Sequence, residues 1–176
     1  MSTIRTAVIE HVGASDFSAS TGTGRRIEFG DVEKGFLSPV ETVLVALGSC
    51  SAMDVISIAM KKRQAVEAYR IHVRGDQRSE YPQVYTEIEV VHEVTGRDIS
   101  EAAIRRAIEL SATKYCPVSA MISAGATVVH HRYRIHSTGA QAYEAEGEVI
   151  ATGPYARPDV IADQEERISG SGSAPG

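Results

Sequence analysis

Cysteine occurs twice in this chain, at Cys50 and Cys116, and each thiol sits in a segment suited to holding it. Cys50 lies in Pro39-Val-Glu-Thr-Val-Leu-Val-Ala-Leu-Gly-Ser-Cys50-Ser-Ala-Met-Asp54-Val-Ile-Ser-Ile, an apolar run that reads as a buried helix. Cys116 lies in Lys114-Tyr-Cys116-Pro117-Val-Ser119, where one helix stops and another starts. Their separation rules out a CxxC redox motif. If the fold brings them together, they form a peroxidatic thiol and a resolving partner, a pair able to cycle through a disulfide.

Each thiol also has an ordinary reading. A free cysteine in an apolar helix is usually a small hydrophobe. In mid-helix Cys50 gains nothing from a helix N-terminus, and a charged Asp54 one turn on would oppose its ionisation. Activation of Cys50 therefore has to come from a cation elsewhere in the fold. Cys116, directly before Pro117, falls at or near the N-cap of the next helix, where unpaired N–H groups favour a thiolate. Ser119 can hydrogen-bond in the same turn. Small N-terminal residue and reactive thiol stand as equal readings of Cys116.

Two acids belong to the same helix. Ser38-Pro39-Val40-Glu41 carries a cap, a proline at the first helical position and the fourth residue of a capping box, so Glu41 has a structural task. Asp54, inside an apolar helix, needs a hydrogen-bonding or charged partner. The six histidines are scattered over strands. His130 and His131 are adjacent and point to opposite faces of a strand, and His72 and His92 fall on different strands. A metal site is not expected, nor a bound cofactor.

The elements that must position these groups follow from periodicity. Thr3–His11 reads as a strand, Gly22-Thr-Gly-Arg25-Arg26 as a turn and Ile27–Phe29 as a strand. The helix from Ser38 runs to Lys61-Lys62-Arg63, cations that suit its negative end. It is apolar nearly all round, so burial on most sides is expected, and its length raises a membrane-spanning reading. Asp54 would cost about 2.5–3.5 kcal/mol in a bilayer, which favours a core helix, shared with a partner subunit. Residues 68–75 and 84–94 alternate as half-buried strands of a hairpin. Asp98-Ile99-Ser100-Glu101 opens a second helix that ends near Tyr115. A short third helix runs from Pro117 to about Ala124, and Ala126–His136 is a last strand. Strands with helices grouped between them mean an α+β fold with a mainly antiparallel sheet.

The chain is 43% hydrophobic and 23% charged, and residues 1–138 read as one globular domain. Residues 139–176 hold seven acidic groups against two arginines, which accounts for the whole net charge of −5. The body is neutral, without the basic stripe a nucleic acid needs. Glycine, proline and like charge mark residues 139–176 as a flexible tail, with Val149-Ile150 and Tyr155 able to dock. Met1-Ser-Thr-Ile-Arg-Thr shows no secretory pattern, so a reducing, cytoplasmic location is expected, with any disulfide transient.

Two separated motifs carry a family resemblance. Ser38-Pro39-Val40-Glu41 with Leu44-Val-Ala-Leu-Gly-Ser-Cys50-Ser-Ala-Met-Asp54, and Val94-Thr-Gly-Arg97-Asp98 with Leu110-Ser-Ala-Thr-Lys114-Tyr115-Cys116-Pro117-Val-Ser119, resemble the OsmC/Ohr family. The resemblance implies an OsmC-like α+β fold in an intertwined homodimer, with the long cysteine helix at its centre. It also implies a thiol peroxidase: Cys50 attacks an organic hydroperoxide, Cys116 condenses with the resulting sulfenic acid, and an external dithiol reductant reopens the disulfide. An arginine and a glutamate near the thiol are part of that pattern, and Arg25 or Arg26 and Glu41 are the matching residues. The family's glutamate directly follows the proline, a place taken here by Val40. The Cys-x-x-x-Asp54 spacing is more similar to a less characterised OsmC-like subgroup. The alternative is a non-enzymatic OsmC-like protein whose unactivated cysteine pocket binds an apolar ligand or senses oxidants.

Overall fold

The computed structural model describes residues 4–140 and 142–149. The chain divides into two compact units, residues 1–45 and 46–176.

The N-terminal unit is a three-stranded antiparallel sheet, β1 (Ala7–Gly13), β2 (Asp16–Thr21) and β3 (Arg26–Phe29), in the order β1-β2-β3. The sequence reading placed the outer strands and missed β2, whose Asp-Phe-Ser-Ala-Ser-Thr is too polar to give a period-two signal. Ala19 is its buried side chain. The expected capping box at Ser38 is present. The Glu41 N–H donates to Ser38 Oγ at 3.1 Å, and the Ser38 N–H donates back to Glu41 Oε2 at 3.0 Å.

From that cap α1 runs from Pro39 to Lys61. Burial on most sides, expected from its composition, is not what the chain provides. Leu47, Gly48, Ser51, Val55 and Ala59 are buried, whereas Met53 is 76% and Met60 69% exposed. The buried positions recur at helical spacing and form one face. α1 is long and apolar enough to cross a membrane by length and composition. Its buried stripe is instead committed to this domain: a Cβ on Gly48 would stand 2.8 Å from Val73 Cγ2, so glycine lets the helix lie close on the sheet.

That sheet has four strands in the order β4-β5-β6-β7: β4 (Ala65–Gln77), β5 (Tyr85–Arg97), β6 (Val128–Thr138) and β7 (Tyr143–Val149). β4–β5 and β6–β7 pair antiparallel and β5–β6 parallel. The parallel pair needs a crossover, supplied by α2 (Glu101–Leu110) and α3 (Pro117–Ser123). Ile88, Val90, His92 and Val94 on β5 line up with Val129, His131, Tyr133 and Ile135 on β6, giving one buried face. Val55, Ala59, Ile104, Ala107 and Ile108 complete the core. The α+β expectation holds, with a sheet mainly antiparallel.

The expected tail needs correction. Residues 143–149 form β7, and the described domain extends to Val149 rather than stopping at 138. Composition concealed a period-two pattern, with Glu144, Glu146 and Glu148 alternating with Tyr143, Ala145, Gly147 and Val149. The glutamates are balanced from β6: His136 Nδ1 lies 3.1 Å from Glu144, His130 Nδ1 2.9 Å from Glu148, and Arg132 Nε 3.6 Å from Glu148. Ile150, Tyr155 and the rest of 150–176 lie outside the described residues.

Candidate functional site

α1 turns Cys50 and Asp54 onto one side, since residues four apart share a helix face. The other thiol arrives through an irregularity. After Leu110 the chain widens into a π-helical turn, Ser111–Tyr115. Such turns concentrate at functional sites because they re-aim side chains without ending the helix. The α-helix therefore stops at Leu110, and the π turn carries the chain on to Tyr115. Cys116 then leaves helical geometry, with φ −75° and ψ 103°, and caps α3.

The outcome is a cluster of three acids. Sγ of Cys50, a carboxylate oxygen of Asp54 and Sγ of Cys116 all lie within 4.8 Å of one another. Neither cysteine is in a disulfide; Cys116 is buried and Cys50 half-buried. The partner Asp54 needs is Ser111, whose hydroxyl donates to Asp54 Oδ2 at 3.1 Å. Ser51 Oγ, one position past Cys50, lies 3.2 Å from Ser111 Oγ and is fully buried. Burial raises the Asp54 carboxyl above its ordinary value, and the Ser111 hydrogen bond only partly offsets this.

The N-cap expectation for Cys116 is right in geometry and wrong in consequence. The Ser119 N–H donates to Cys116 Sγ at 3.3 Å, as a thiolate would want. Burial outweighs it. Desolvation, followed by a hydrogen bond to the Cys50 sulfur, pushes the Cys116 thiol up to about 12. At neutral pH Cys116 is an S–H, held so by burial and by the Cys50 sulfur beside it.

Two open pockets meet this cluster. One of about 420 Å³, largely apolar, is lined by Cys116, Pro117, Ala120, Met121, Tyr115 and Lys114. The other, about 330 Å³, is lined by Asp54, Ser57, Lys61, Lys62, Leu110 and Tyr115. Tyr115 borders both, and the Lys114 ammonium lies 5.5 Å from its ring centroid. Lys61 and Lys62 are thus cations beside Asp54 within the thiols' own unit.

The remaining sequence candidates belong to the N-terminal unit. Arg25 lies in the turn before β3, Arg26 opens β3, and both are exposed. The exposed Glu41 carboxylate is bound by Ser38, which lowers its pKa. Asp54 was absent from the residues expected to act, although its spacing from Cys50 was readable. Ser111, sixty-one residues from Cys50, carried no signal at all.

An α+β scaffold with one thiol on its long helix and a second after a π turn defines the class of fold. The comparisons name it. Residues 32–131 match the OsmC-like protein family, and the chain belongs to that family. It is 44% identical to Protein YhfA of Escherichia coli K12 over 93 residues, 53% of this chain and 69% of that protein. A hypothetical protein from Aquifex aeolicus VF5 is 30% identical, with a TM-score of 0.69 over 78% of this chain and 99% of its own. An organic hydroperoxide resistance protein from Elizabethkingia anophelis shares the fold at 11% identity, with a TM-score of 0.56 over 79% and 98% of the two chains.

Proposed function

We propose that this chain is a cysteine-based thiol peroxidase that reduces organic hydroperoxides to alcohols. The observation that carries the reading is the Cys50–Cys116 pair, two free thiols whose sulfurs lie within 4.8 Å. Family membership supports it.

The roles follow from the electrostatics. A thiol held up at about 12 is a poor first nucleophile at neutral pH, which leaves the attack to Cys50. Three acids within 4.8 Å cannot all ionise without mutual repulsion. Asp54, its carboxyl raised by burial, is placed to accept the Cys50 proton as the sulfur attacks. The Cys50 thiolate attacks the peroxide oxygen, the O–O bond breaks, and the departing alkoxide takes a proton to leave as the alcohol. Cys50 is then a sulfenic acid. Cys116 attacks that sulfur, water leaves, and a Cys50–Cys116 disulfide remains. An external dithiol restores both thiols and is itself oxidised to a disulfide. No bound cofactor takes part.

The largely apolar pocket beside Cys116 suits the organic group of the hydroperoxide. Lys61 and Lys62 supply positive charge beside Asp54. Arg25, Arg26 and Glu41 enter the proposal through the resemblance, as groups that assist thiolate formation. The exposed apolar residues of α1, Met53 and Met60 among them, support a homodimer that covers this face. The proposed setting is the reducing cytoplasm.

The test is peroxide consumption by the reduced protein with cumene hydroperoxide and a dithiol, in wild type and Cys50→Ser. Loss of turnover in Cys50→Ser supports the reading. A wild type that consumes no peroxide above background refutes it, and a fully active Cys50→Ser refutes the role assignment.

A further inference from the structure

The same three side chains have the composition of a metal site. Among the described residues they are the group of histidine, cysteine and acidic side chains whose ligand atoms converge. Two sulfurs and one carboxylate oxygen form a donor set for a borderline-soft divalent ion such as Zn²⁺ or Cd²⁺, with little attraction for Mg²⁺ or Ca²⁺. At a Zn–S distance of about 2.3 Å and a Zn–O distance of about 2.0–2.2 Å, tetrahedral ligand atoms stand roughly 3.5–3.8 Å apart. Ligand atoms already within 4.8 Å of one another stand close to that spacing.

An outer shell is in place for two of the three ligands. The Ser111 hydroxyl donates to Asp54 Oδ2 and is itself adjacent to Ser51 Oγ, which holds the carboxylate beside the two sulfurs. The Ser119 N–H points at Cys116 Sγ, a donor that supports sulfur as a thiolate. Such outer partners fix ligand orientation at metal centres. The half-buried Cys50 leaves one side of the cluster open for a fourth ligand, water or an incoming anion.

We propose that the reduced chain binds one thiophilic divalent cation through Cys50, Asp54 and Cys116, and that the bound ion caps both thiols. Binding exchanges two S–H protons for two metal–sulfur bonds and changes no oxidation state. The site then has two mutually exclusive occupants, the metal or the disulfide. The inference rests on this geometry and stands whether or not the thiols reduce peroxides.

The experiment is calorimetric titration of the full-length reduced protein with Zn²⁺, paralleled by Cd²⁺ titration followed through the thiolate-to-metal charge-transfer band. The expected result is one ion per chain, with the Cd²⁺ band present. The oxidised protein should bind neither, and a chelator should restore the thiol reactivity of the metal-free reduced protein. Cys50→Ser and Cys116→Ser should each weaken binding at least tenfold, and Asp54→Asn by a smaller factor with the charge-transfer band retained. Thermal unfolding of each apo variant identifies any that fails to fold. Stoichiometric binding that survives in the folded Cys50→Ser/Cys116→Ser double variant overturns the proposal. So does a wild type with both thiols free that binds no Zn²⁺. Because binding is read directly, a failure of peroxidase activity leaves this result intact.

Discussion

Two regions of this protein bury titratable side chains, and burial has opposite consequences in them. Around Cys116 the buried group meets a second thiol, a carboxyl and two open pockets. Under the four-stranded sheet His92 and His131 stack with ring centroids 5.7 Å apart, both fully buried. The Tyr69 hydroxyl lies 2.6 Å from His92 Nδ1, and His92 Nε2 lies 3.4 Å from His131 Nδ1. Whichever way the protons run, the chain ends at His131 Nε2, which has no partner among the described residues. Desolvation pushes His131 down to about 4 and His92 well below its ordinary value. A strongly displaced pKa therefore does not mark the site by itself. What separates the regions is convergence of several reactive groups on a solvent opening.

Removing the thiol proposed to attack gives the largest effect expected. Cys50→Ser should lower peroxide turnover on the order of a thousandfold or more, as loss of a nucleophile does. Cys116→Ser should keep one stoichiometric reaction with peroxide and lose turnover, which rapid mixing separates from steady-state rates. Equal behaviour of the two variants would break the asymmetry drawn between them.

The histidine pair should respond to acid instead. His131 binds a proton at about 6.5 when unfolded and at about 4 when folded. Between those values the unfolded chain holds more protons, so stability falls as pH drops from 6.5 to 4. That shift corresponds to on the order of 3 kcal/mol. Urea unfolding across this range should show the loss, and His131→Phe should remove its share while leaving peroxide consumption at neutral pH unchanged. A His131→Phe variant with the wild-type acid slope would contradict a neutral buried imidazole.

Ser38→Ala is the smallest and local: loss of the capping box should cost about 1 kcal/mol by urea unfolding. Its effect belongs to the helix start, and any change in acid slope should come from Glu41, whose lowered pKa loses the Ser38 hydroxyl's share while the backbone N–H bond remains.

What could be read from the sequence was local. The capping box, α1, the alternation of β4 and β5, and Cys116 at a helix start all follow from short-range rules, as did the family motifs. The thiol–thiol approach is long-range. It depends on a π turn, for which Ser-Ala-Thr-Lys-Tyr carries no clear signal, and on Ser111 reaching Asp54. β7 had a period-two pattern, but its glutamates looked like a solvated tail until Arg132, His130 and His136 were seen beside them. Burial was legible in type and misjudged in extent. α1 carries apolar residues all round, yet among the described residues its buried positions form one face.

The central claim is that Cys50 and Cys116 act as one redox pair. Its most direct test is mass spectrometry of the reduced protein after one equivalent of cumene hydroperoxide. The expected product is a single intramolecular Cys50–Cys116 disulfide, matched by one equivalent of cumyl alcohol. Two thiols still free after peroxide treatment, or a disulfide found only between chains, would contradict it.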